Sequence, residues 1–183
     1  LLCADVDHLV VKNNIKYIQK TSQDASHIAV QVGAGESWHN LVLISLSNNW
    51  FGLENMSLIP GTVGAAPMQN IGAYGSEVKD VFQSLEAVDR VTGEIKTFNN
   101  EDCQFGYRES VFKNKFKNQY FIVSVTLRLS LEANINTSYG AINKVIEERG
   151  IKNPDPKDIS DAVIEIRQSK LPDPAEIGNS GSF

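Results

Sequence analysis

Two pairs of side chains in this sequence have types and spacings that could do chemistry. Tyr107 and Arg108 follow a Phe-Gly turn, and an arginine there can present its guanidinium to a carboxylate or to developing negative charge. Arg167 and Lys170 lie three residues apart, so on a helix they share one face that could bind phosphate or carboxylate. Taken alone, each pair has a simpler interpretation, namely a surface ion pair or cations at a helix C-terminus.

A serine in a glycine-rich run adds a hydroxyl group to these cations. Ser182 lies in G-N-S-G-S-F, without a G-x-S-x-G elbow or a histidine placed to activate it, so a nucleophilic role is disfavoured. A hydroxyl in such a turn could instead donate a proton. His8, His27 and His39 are scattered along the chain, and the simpler interpretation of each is a structural or exposed side chain.

Residues 58–75, which we call the glycine-rich segment, read L-I-P-G-T-V-G-A-A-P-M-Q-N-I-G-A-Y-G. Pro60 and Pro67 exclude a regular helix interior or a central strand. With few side chains to pack, the segment is not expected to be a core element. Its main chain could approach something flat or anionic, and its amides could hydrogen-bond the heteroatom edge of a cofactor ring. A long surface loop is the alternative, but loops of this length usually carry function.

The composition excludes several classes of protein. The chain has 183 residues, 42% hydrophobic and 21% charged, which is enough for one sizeable core with a smaller appendage. A net charge of −5 argues against general nucleic-acid binding and against a membrane-surface role. Cys3 and Cys103 are too few and too far apart for a disulfide framework or a metal site, and no apolar run could span a bilayer.

Hydrophobic periodicity predicts the strands and helices that must position these candidate side chains. Residues 9–11 and 16–19 could be short strands, residues 27–32 alternate as a half-buried strand, and Ser37 is a good N-cap for a helix to about Asn48. Residues 85–89 and 94–98 predict a hairpin. Residues 120–130 form the clearest strand, with one face made by Phe121, Val123, Val125, Leu127 and Leu129.

Two helices are predicted near the end of the chain. Residues 139–149 form one, and a second begins at Asp158 or Ser160 and buries Ile159, Ala162, Val163 and Ile166. Strands and helices alternate without βαβ regularity, so the sequence predicts an α+β fold rather than a doubly wound α/β fold.

Together these motifs follow the order of a known family. The runs are G-L-E-N from Gly52, the glycine-rich segment, F-G-Y-R-E-S-V-F-K from Phe105, R-Q-S-K-L-P-D-P from Arg167, and G-N-S-G-S-F. Over nearly the whole chain the sequence resembles the UDP-N-acetylenolpyruvoylglucosamine reductases (UDP-N-acetylmuramate dehydrogenases), cytoplasmic bacterial flavoenzymes of peptidoglycan precursor synthesis.

The resemblance implies an α+β, FAD-binding fold of the vanillyl-alcohol-oxidase-like type. Residues 1–12 would be a remnant of the N-terminal FAD-binding subdomain, residues 13–172 the second subdomain, and residues 173–183 the start of a truncated substrate domain. The family's upstream G-G-G-S-N loop and downstream catalytic glutamate are absent. We therefore expect a piece of a longer protein, which alone binds FAD weakly and has little or no reductase activity.

The resemblance also implies the reaction. NADPH reduces bound FAD, the reduced flavin passes a hydride to the enol-ether double bond of UDP-N-acetylglucosamine enolpyruvate, and an acid protonates the neighbouring carbon to give UDP-N-acetylmuramate. The implied partner is a small UDP-sugar, with neither nucleic acid nor membrane, in the cytoplasm.

By matching position, the resemblance assigns a role to each motif residue. Ser182 would be the proton donor and Arg108 would stabilise the enolate-like intermediate, whereas Tyr107, Tyr139 and Lys170 would bind the substrate. The run T-S-Y-G at residues 137–140, which contains Tyr139, resembles the tyrosine loop of one subclass of the family. The flavin would be surrounded by Pro60, Gly61, Thr62, Gly64, Ala65, Gln69, Asn70, Gly72, Ala73, Tyr74 and Arg167, of which Tyr74 could also reach the substrate.

Two alternatives remain open. A non-catalytic nucleotide- or sugar-binding module of the same fold would keep the glycine-rich segment but tolerate loss of Arg108 and Ser182. Another FAD oxidoreductase, acting on an alcohol or a lactone, would be expected to attach its flavin to a histidine or a cysteine. That second alternative ranks low because the glycine-rich segment contains neither residue type.

Overall fold

A five-stranded antiparallel sheet organises the molecule. The structure is a computed structural model that describes residue 7 and residues 9–170. The strands are β1 (Ile18–Gln23), β2 (His27–Gly33), β5 (Phe82–Asp89), β6 (Ile95–Asn99) and β7 (Tyr120–Ser130), in the spatial order β1-β2-β7-β5-β6. A separate short hairpin pairs β3 (Gly72–Ala73) with β4 (Ser76–Glu77). The longest strand, β7, lies at the centre of the sheet, where most of its apolar side chains are buried.

Four α-helices accompany the sheet in the described part of the chain, and the N-cap of the first was predicted from the sequence. They are α1 (Trp38–Ser47), α2 (Asn100–Cys103), α3 (Gly140–Glu148) and α4 (Pro156–Lys170). Ser37 caps α1 as predicted, because its side chain accepts a hydrogen bond from the N–H of Asn40. The mixture of an antiparallel sheet with separate helices confirms the predicted α+β class.

Helix α4 begins earlier than the sequence predicted. The N–H of Asp158 donates to Asp155 Oδ1 at 2.8 Å, and the N–H of Asp155 donates to Asp158 Oδ2 at 2.9 Å. This reciprocal capping makes Asp155 the cap and leaves Pro156 at the first helical position, where a missing N–H costs nothing. The prediction of a start at Asp158 or Ser160 was wrong, whereas the predicted buried face is confirmed.

A β-bulge in β7 reverses the predicted orientation of its first residues. Ser124 pairs with Glu86, but Ile122 pairs with the next residue, Ala87, so Val123 is an extra residue. Because an extra residue exchanges the two faces of a strand, Ile122 is buried at 7% exposure and Phe121 is 39% exposed. The prediction that Phe121 shares the core face of Leu127 was wrong.

The predicted first strands are also displaced along the chain. Residues 9–17 contain no strand, and β1 begins at Ile18. Leu9 and Val11 are exposed by 91% and 67%, so they have neither strand neighbours nor a covering layer among the described residues. The prediction rested on short apolar runs joined by a possible turn at Asn13-Asn14.

The described residues contain two hydrophobic cores. The larger core lies between the sheet, α1 and the glycine-rich segment. The smaller core lies between α3 and α4, and Tyr74 from the glycine-rich segment packs against it. Between residues 9 and 170, no helix is both long and apolar enough to cross a membrane.

Candidate functional site

The glycine-rich segment folds into short turns followed by a hairpin. Two 3-10 turns, Val63–Ala65 and Pro67–Gln69, precede β3. Val63 and Ala66 are buried at 0% and 1% exposure and belong to the larger core. The expectation that this segment contributes little to the core was therefore wrong: its few apolar side chains fasten it to the protein.

One side of this segment lies against the loop between β2 and α1. The N–H groups of Val63 and Gly64 donate to the carbonyls of Glu36 and Ala34, each at 2.9 Å. A Cβ on Gly64 would lie 2.5 Å from the Cβ of Ala34, so only glycine permits this approach. Gly64 is thus needed for close packing between two main chains.

The other side of the segment is exposed. The exposed residues of the segment are Pro60, Gly61, Thr62, Ala65, Met68, Gln69 and Gly75, most of which are small. Gly61 has φ +115°, and a Cβ built there would meet no atom within 4 Å. Small exposed residues beside an anchored main chain leave room for a flat ring to approach the peptide groups, so these residues fit a planar cofactor.

A tight turn directs Arg108 back onto the segment. Gly106 and Glu109 exchange main-chain hydrogen bonds of 3.0 and 3.3 Å across this turn. The guanidinium of Arg108 donates to the carbonyl oxygens of Asn70 and Gly72. Arg108 also lies 5.1 Å from the ring centroid of Tyr107, whose side chain is 85% exposed.

Asn70 has its side chain inside the protein. It is fully buried, its Nδ2 donates to the carbonyl of Gly106 at 2.9 Å, and its Oδ1 accepts from the N–H of Lys79 at 3.1 Å. The side chain therefore ties the turn that carries Arg108 to the glycine-rich segment. A flavin contact at Asn70 stays a prediction.

Two tyrosines and an arginine meet at the end of the segment. The rings of Tyr74 and Tyr139 lie edge to face, with centroids 5.1 Å apart. Arg167 donates from Nε to the carbonyl of Leu58 at 3.2 Å. Burial raises the pKa of Tyr74 while Arg167 opposes this shift, so the phenol of Tyr74 is neutral at pH 7.

Lys170 and Ser182 are not brought into this arrangement by the described contacts. Lys170 is exposed at the last residue of α4, one turn beyond Arg167. Ser182 lies outside the described residues, as does the predicted domain boundary at residue 173.

Two residues without a predicted role hold the site together. Asn55, 3% exposed, donates from Nδ2 to the carbonyls of Tyr74 and Asn136 at 2.9 and 3.0 Å, which joins the segments that lead to the two tyrosines. Glu77 accepts from Arg108 at 3.3 Å. Asn55 lies within the G-L-E-N motif, which was the only sequence signal for either residue.

His39 has a structural role at the start of the segment. Its Nδ1 accepts from the N–H of Leu58 at 3.0 Å, so the neutral ring carries its proton on Nε2. Burial lowers the pKa of His39, which keeps it in this accepting form. The structural interpretation of this histidine agrees with the contact.

The fold is an α+β domain. On one side it exposes the main chain of a segment of small residues, with anchored arginines beside it. These features define a class of domain suited to a flat, anionic cofactor. The chain belongs to the FAD binding domain family, whose model matches residues 3–99. This match confirms the predicted FAD-binding fold.

Similar proteins carry the name that the motifs predicted. UDP-N-acetylenolpyruvoylglucosamine reductase of Amoebophilus asiaticus is 54% identical over 183 residues, covering 100% of this chain and 54% of the relative. The enzyme of that name from Flavobacterium johnsoniae is 53% identical over 184 residues, covering 100% and 55%. The resemblance is confirmed, and the chain spans about half the length of the curated relatives it matches.

A solved structure gives a weaker likeness. The UDP-N-acetylenolpyruvylglucosamine reductase of Thermus caldophilus is 21% identical, with a TM-score of 0.47, covering 78% of this chain and 69% of that chain. A likeness at this level adds nothing to the assignment.

Proposed function

We propose that this chain is the flavin-binding part of a reductase that converts UDP-N-acetylglucosamine enolpyruvate to UDP-N-acetylmuramate, with NADPH as the reductant, in the cytoplasm. Residues 13–172 would form a second FAD-binding subdomain, with residues 1–12 and 173–183 belonging to its neighbours. The observation that carries the proposal is that Arg108, Tyr139 and Arg167, from three separate parts of the sequence, each contact the glycine-rich segment.

The exposed side of the segment is the proposed flavin surface. Bound FAD would supply the two-electron chemistry that protein side chains lack. The residues proposed to hold it are Pro60, Gly61, Thr62, Gly64, Ala65, Gln69, Asn70, Gly72, Ala73, Tyr74 and Arg167. Because Gly64 and Val63 anchor this main chain to the β2–α1 loop, the peptide groups of the segment are fixed before a ligand arrives.

Arg108 is proposed to stabilise negative charge on the substrate. Addition of an electron pair to an alkene that carries a carboxylate builds enolate character, and a permanent cation in a fixed orientation lowers that barrier. Ser182 would then donate its hydroxyl proton to the neighbouring carbon. Tyr107, Tyr139 and Lys170 are the proposed contacts for the rest of the UDP-sugar.

The test is substrate-dependent oxidation of NADPH by FAD-loaded protein in which this chain is continued to the length of its relatives. We expect Arg108→Met to lower kcat by about 10²- to 10³-fold, the usual effect of losing one electrostatic stabiliser. Arg128→Met is the matched control, because Arg128 is an exposed arginine on β7 and should leave kcat unchanged.

The same assay separates the enzyme from a binding module. A non-catalytic module would bind the UDP-sugar yet oxidise no NADPH, and Arg108→Met and Ser182→Ala would then change nothing measurable in turnover. Full activity of Arg108→Met would contradict the role given to its charge.

A further inference from the structure

Arg108 is held by a carboxylate as well as by carbonyl groups. Glu77 Oε1 accepts from Arg108 Nη1 at 3.3 Å, and Glu77 Oε2 lies 2.7 Å from the ammonium of Lys79. Both oxygens of Glu77 are therefore engaged by cations. Arg108 therefore shares this carboxylate with a second cation, Lys79.

The backbone around Glu77 is itself fixed by local structure. Glu77 pairs with Gly72 in the β3–β4 hairpin and caps the 3-10 turn Val78–Asp80. Its N–H donates to Asp80 Oδ2 at 2.8 Å, which completes a capping box. The carboxylate therefore begins from a well-defined position, and its side chain is 23% exposed.

Gly72 keeps open the space in which Glu77 and Arg108 meet. A Cβ at Gly72 would lie 2.8 Å from Glu77 Cγ and 3.1 Å from Arg108 Nη1. The close approach of these two side chains therefore depends on the absence of a side chain at position 72, and that dependence makes the contact specific to this hairpin.

An unrestrained arginine would orient poorly for catalysis. Its long side chain has many rotamers, and that freedom must be lost before the guanidinium can act on a reacting centre. The bonds from the guanidinium to the two carbonyls are already charge-assisted, and a carboxylate adds the attraction between opposite charges, so it restrains the guanidinium further than the carbonyls alone. The hydrogen bond from Lys79 lowers the pKa of Glu77, with a smaller contribution from Arg108, so Glu77 is ionised at neutral pH.

We propose that Glu77 is a positioning residue that holds the guanidinium of Arg108 in its working orientation before substrate binds. The inference rests on the proposed function for the step that Arg108 assists, but the restraint itself is a property of the chain without any ligand. Glu77 acts through Arg108 and needs no contact with the substrate.

The restraint is tested first in the 183-residue chain by ¹⁵N NMR of the arginine Nε groups. The signal of Arg108 is identified as the one that disappears in the variant Arg108→Lys. Restrained guanidinium groups rotate slowly about the Nε–Cζ bond. We expect Glu77→Gln to speed this rotation about tenfold, since a charged partner is replaced by a neutral one. Glu77→Asp, which keeps the charge but is one methylene shorter, should also speed it, whereas Glu94→Gln in the exposed β5–β6 turn should not.

Unchanged rotation in Glu77→Gln and Glu77→Asp, with both variants folded by circular dichroism, would overturn the inference. The inference would also fail if the guanidinium of Arg108 already rotates fast in the unaltered chain. Because Glu77→Asp is a second route to the same measurement, failure of one variant to fold leaves the question decidable.

A double-mutant cycle in the FAD-loaded, complete protein then tests whether Glu77 acts through Arg108. We expect Glu77→Gln to lower kcat about tenfold with a smaller change in KM, and to have no further effect once Arg108 is Met. Equal losses in both backgrounds would indicate a structural role and contradict the inference. If the unaltered protein shows no turnover, the proposed function fails, while the NMR result still decides the positioning role.

Discussion

Gly72, in the glycine-rich segment, lies close to both β4 and Arg108. We expect Gly72→Ala to lower the free energy of unfolding by about 1–3 kcal/mol, the usual cost of forcing extra atoms into a filled space. The physical reason is that the new Cβ would lie 2.5 Å from the carbonyl oxygen of Ser76. Urea denaturation measures the change.

A matched substitution separates crowding from the general effect of replacing glycine. Gly140 begins α3, and a Cβ there would meet no atom within 4 Å, so Gly140→Ala should be neutral or slightly stabilising. If the two variants are equally stable, Gly72 is not the crowded position that the structure indicates.

His39 makes stability depend on pH as the pH falls below about 7. Burial lowers its pKa below the usual value near 6.5, so in this range the unfolded chain binds a proton that the folded chain resists. The contribution of neutral His39 is therefore present at pH 7 and lost as the pH falls. Protonation of Nδ1 would also break its hydrogen bond with Leu58.

Thermal unfolding at several pH values measures this dependence. We expect His39→Gln to remove much of the loss of Tm between pH 7 and pH 5, and His27→Gln to keep it because His39 is unchanged there. An undiminished pH dependence in His39→Gln would rule out His39 as its source.

Motifs in the sequence pointed to Arg108, whereas residues whose role depends on a distant partner gave no such signal. Arg108 lies in F-G-Y-R-E-S-V-F-K, which resembles the family, and its catalytic role stays a prediction. Glu77 and Asn55 resemble any polar residue until the fold brings Arg108 to one and the carbonyl of Tyr74 to the other. Contacts across 19 to 31 positions of sequence leave no local pattern.

At the scale of elements, α4 is fastened to the rest of the protein by a buried pair of hydroxyl groups. Ser57 Oγ donates to the carbonyl of Glu54 at 2.7 Å, so Ser160 must be the donor in the 2.8 Å contact between the two serines. Ser57→Ala leaves the Ser160 hydroxyl without this acceptor, whereas Ser160→Ala leaves the donation from Ser57 intact.

We therefore expect unequal costs for two similar substitutions. Ser57→Ala should destabilise the protein by about 1–3 kcal/mol and Ser160→Ala by about 1 kcal/mol or less, because an unpaired buried donor costs more than a lost neutral bond. The double variant should cost less than the sum of the single ones. Denaturant midpoints measure all three, and equal or additive costs would contradict this donor assignment.

Elements with strong periodicity could be predicted, and the deviations have local causes. The extent of β7 and the cap of α1 follow from alternation and from Ser37. The bulge at Val123 could not be predicted, because the apolar alternation continues through Phe121 without a break and the extra residue is defined only by pairing with β5. The start of α4 at Pro156 depends on the reciprocal contacts of Asp155 and Asp158.

At the scale of the whole molecule, the order of the motifs predicted the family before any geometry was known. The layout of two cores, with Tyr74 reaching from the glycine-rich segment to the helical one, could not be predicted from that order. Helices α3 and α4 pack on each other, and α4 also packs on the Glu54–Met56 turn and contacts Ser57 and Leu58.

The central claim is that the exposed side of the glycine-rich segment binds the flavin. The direct measurement is a titration of ¹⁵N-labelled chain with FAD, followed through the backbone amide signals, which also detects weak binding. The account predicts that the largest shifts fall on residues 60–74, and that Gly61→Val weakens binding about tenfold because its side chain would occupy the open space there. Gly93→Val, at another exposed glycine with positive φ and open surroundings, should leave binding unchanged. Shifts centred elsewhere on the described surface, or equal affinity in the Gly61→Val variant, would contradict the account.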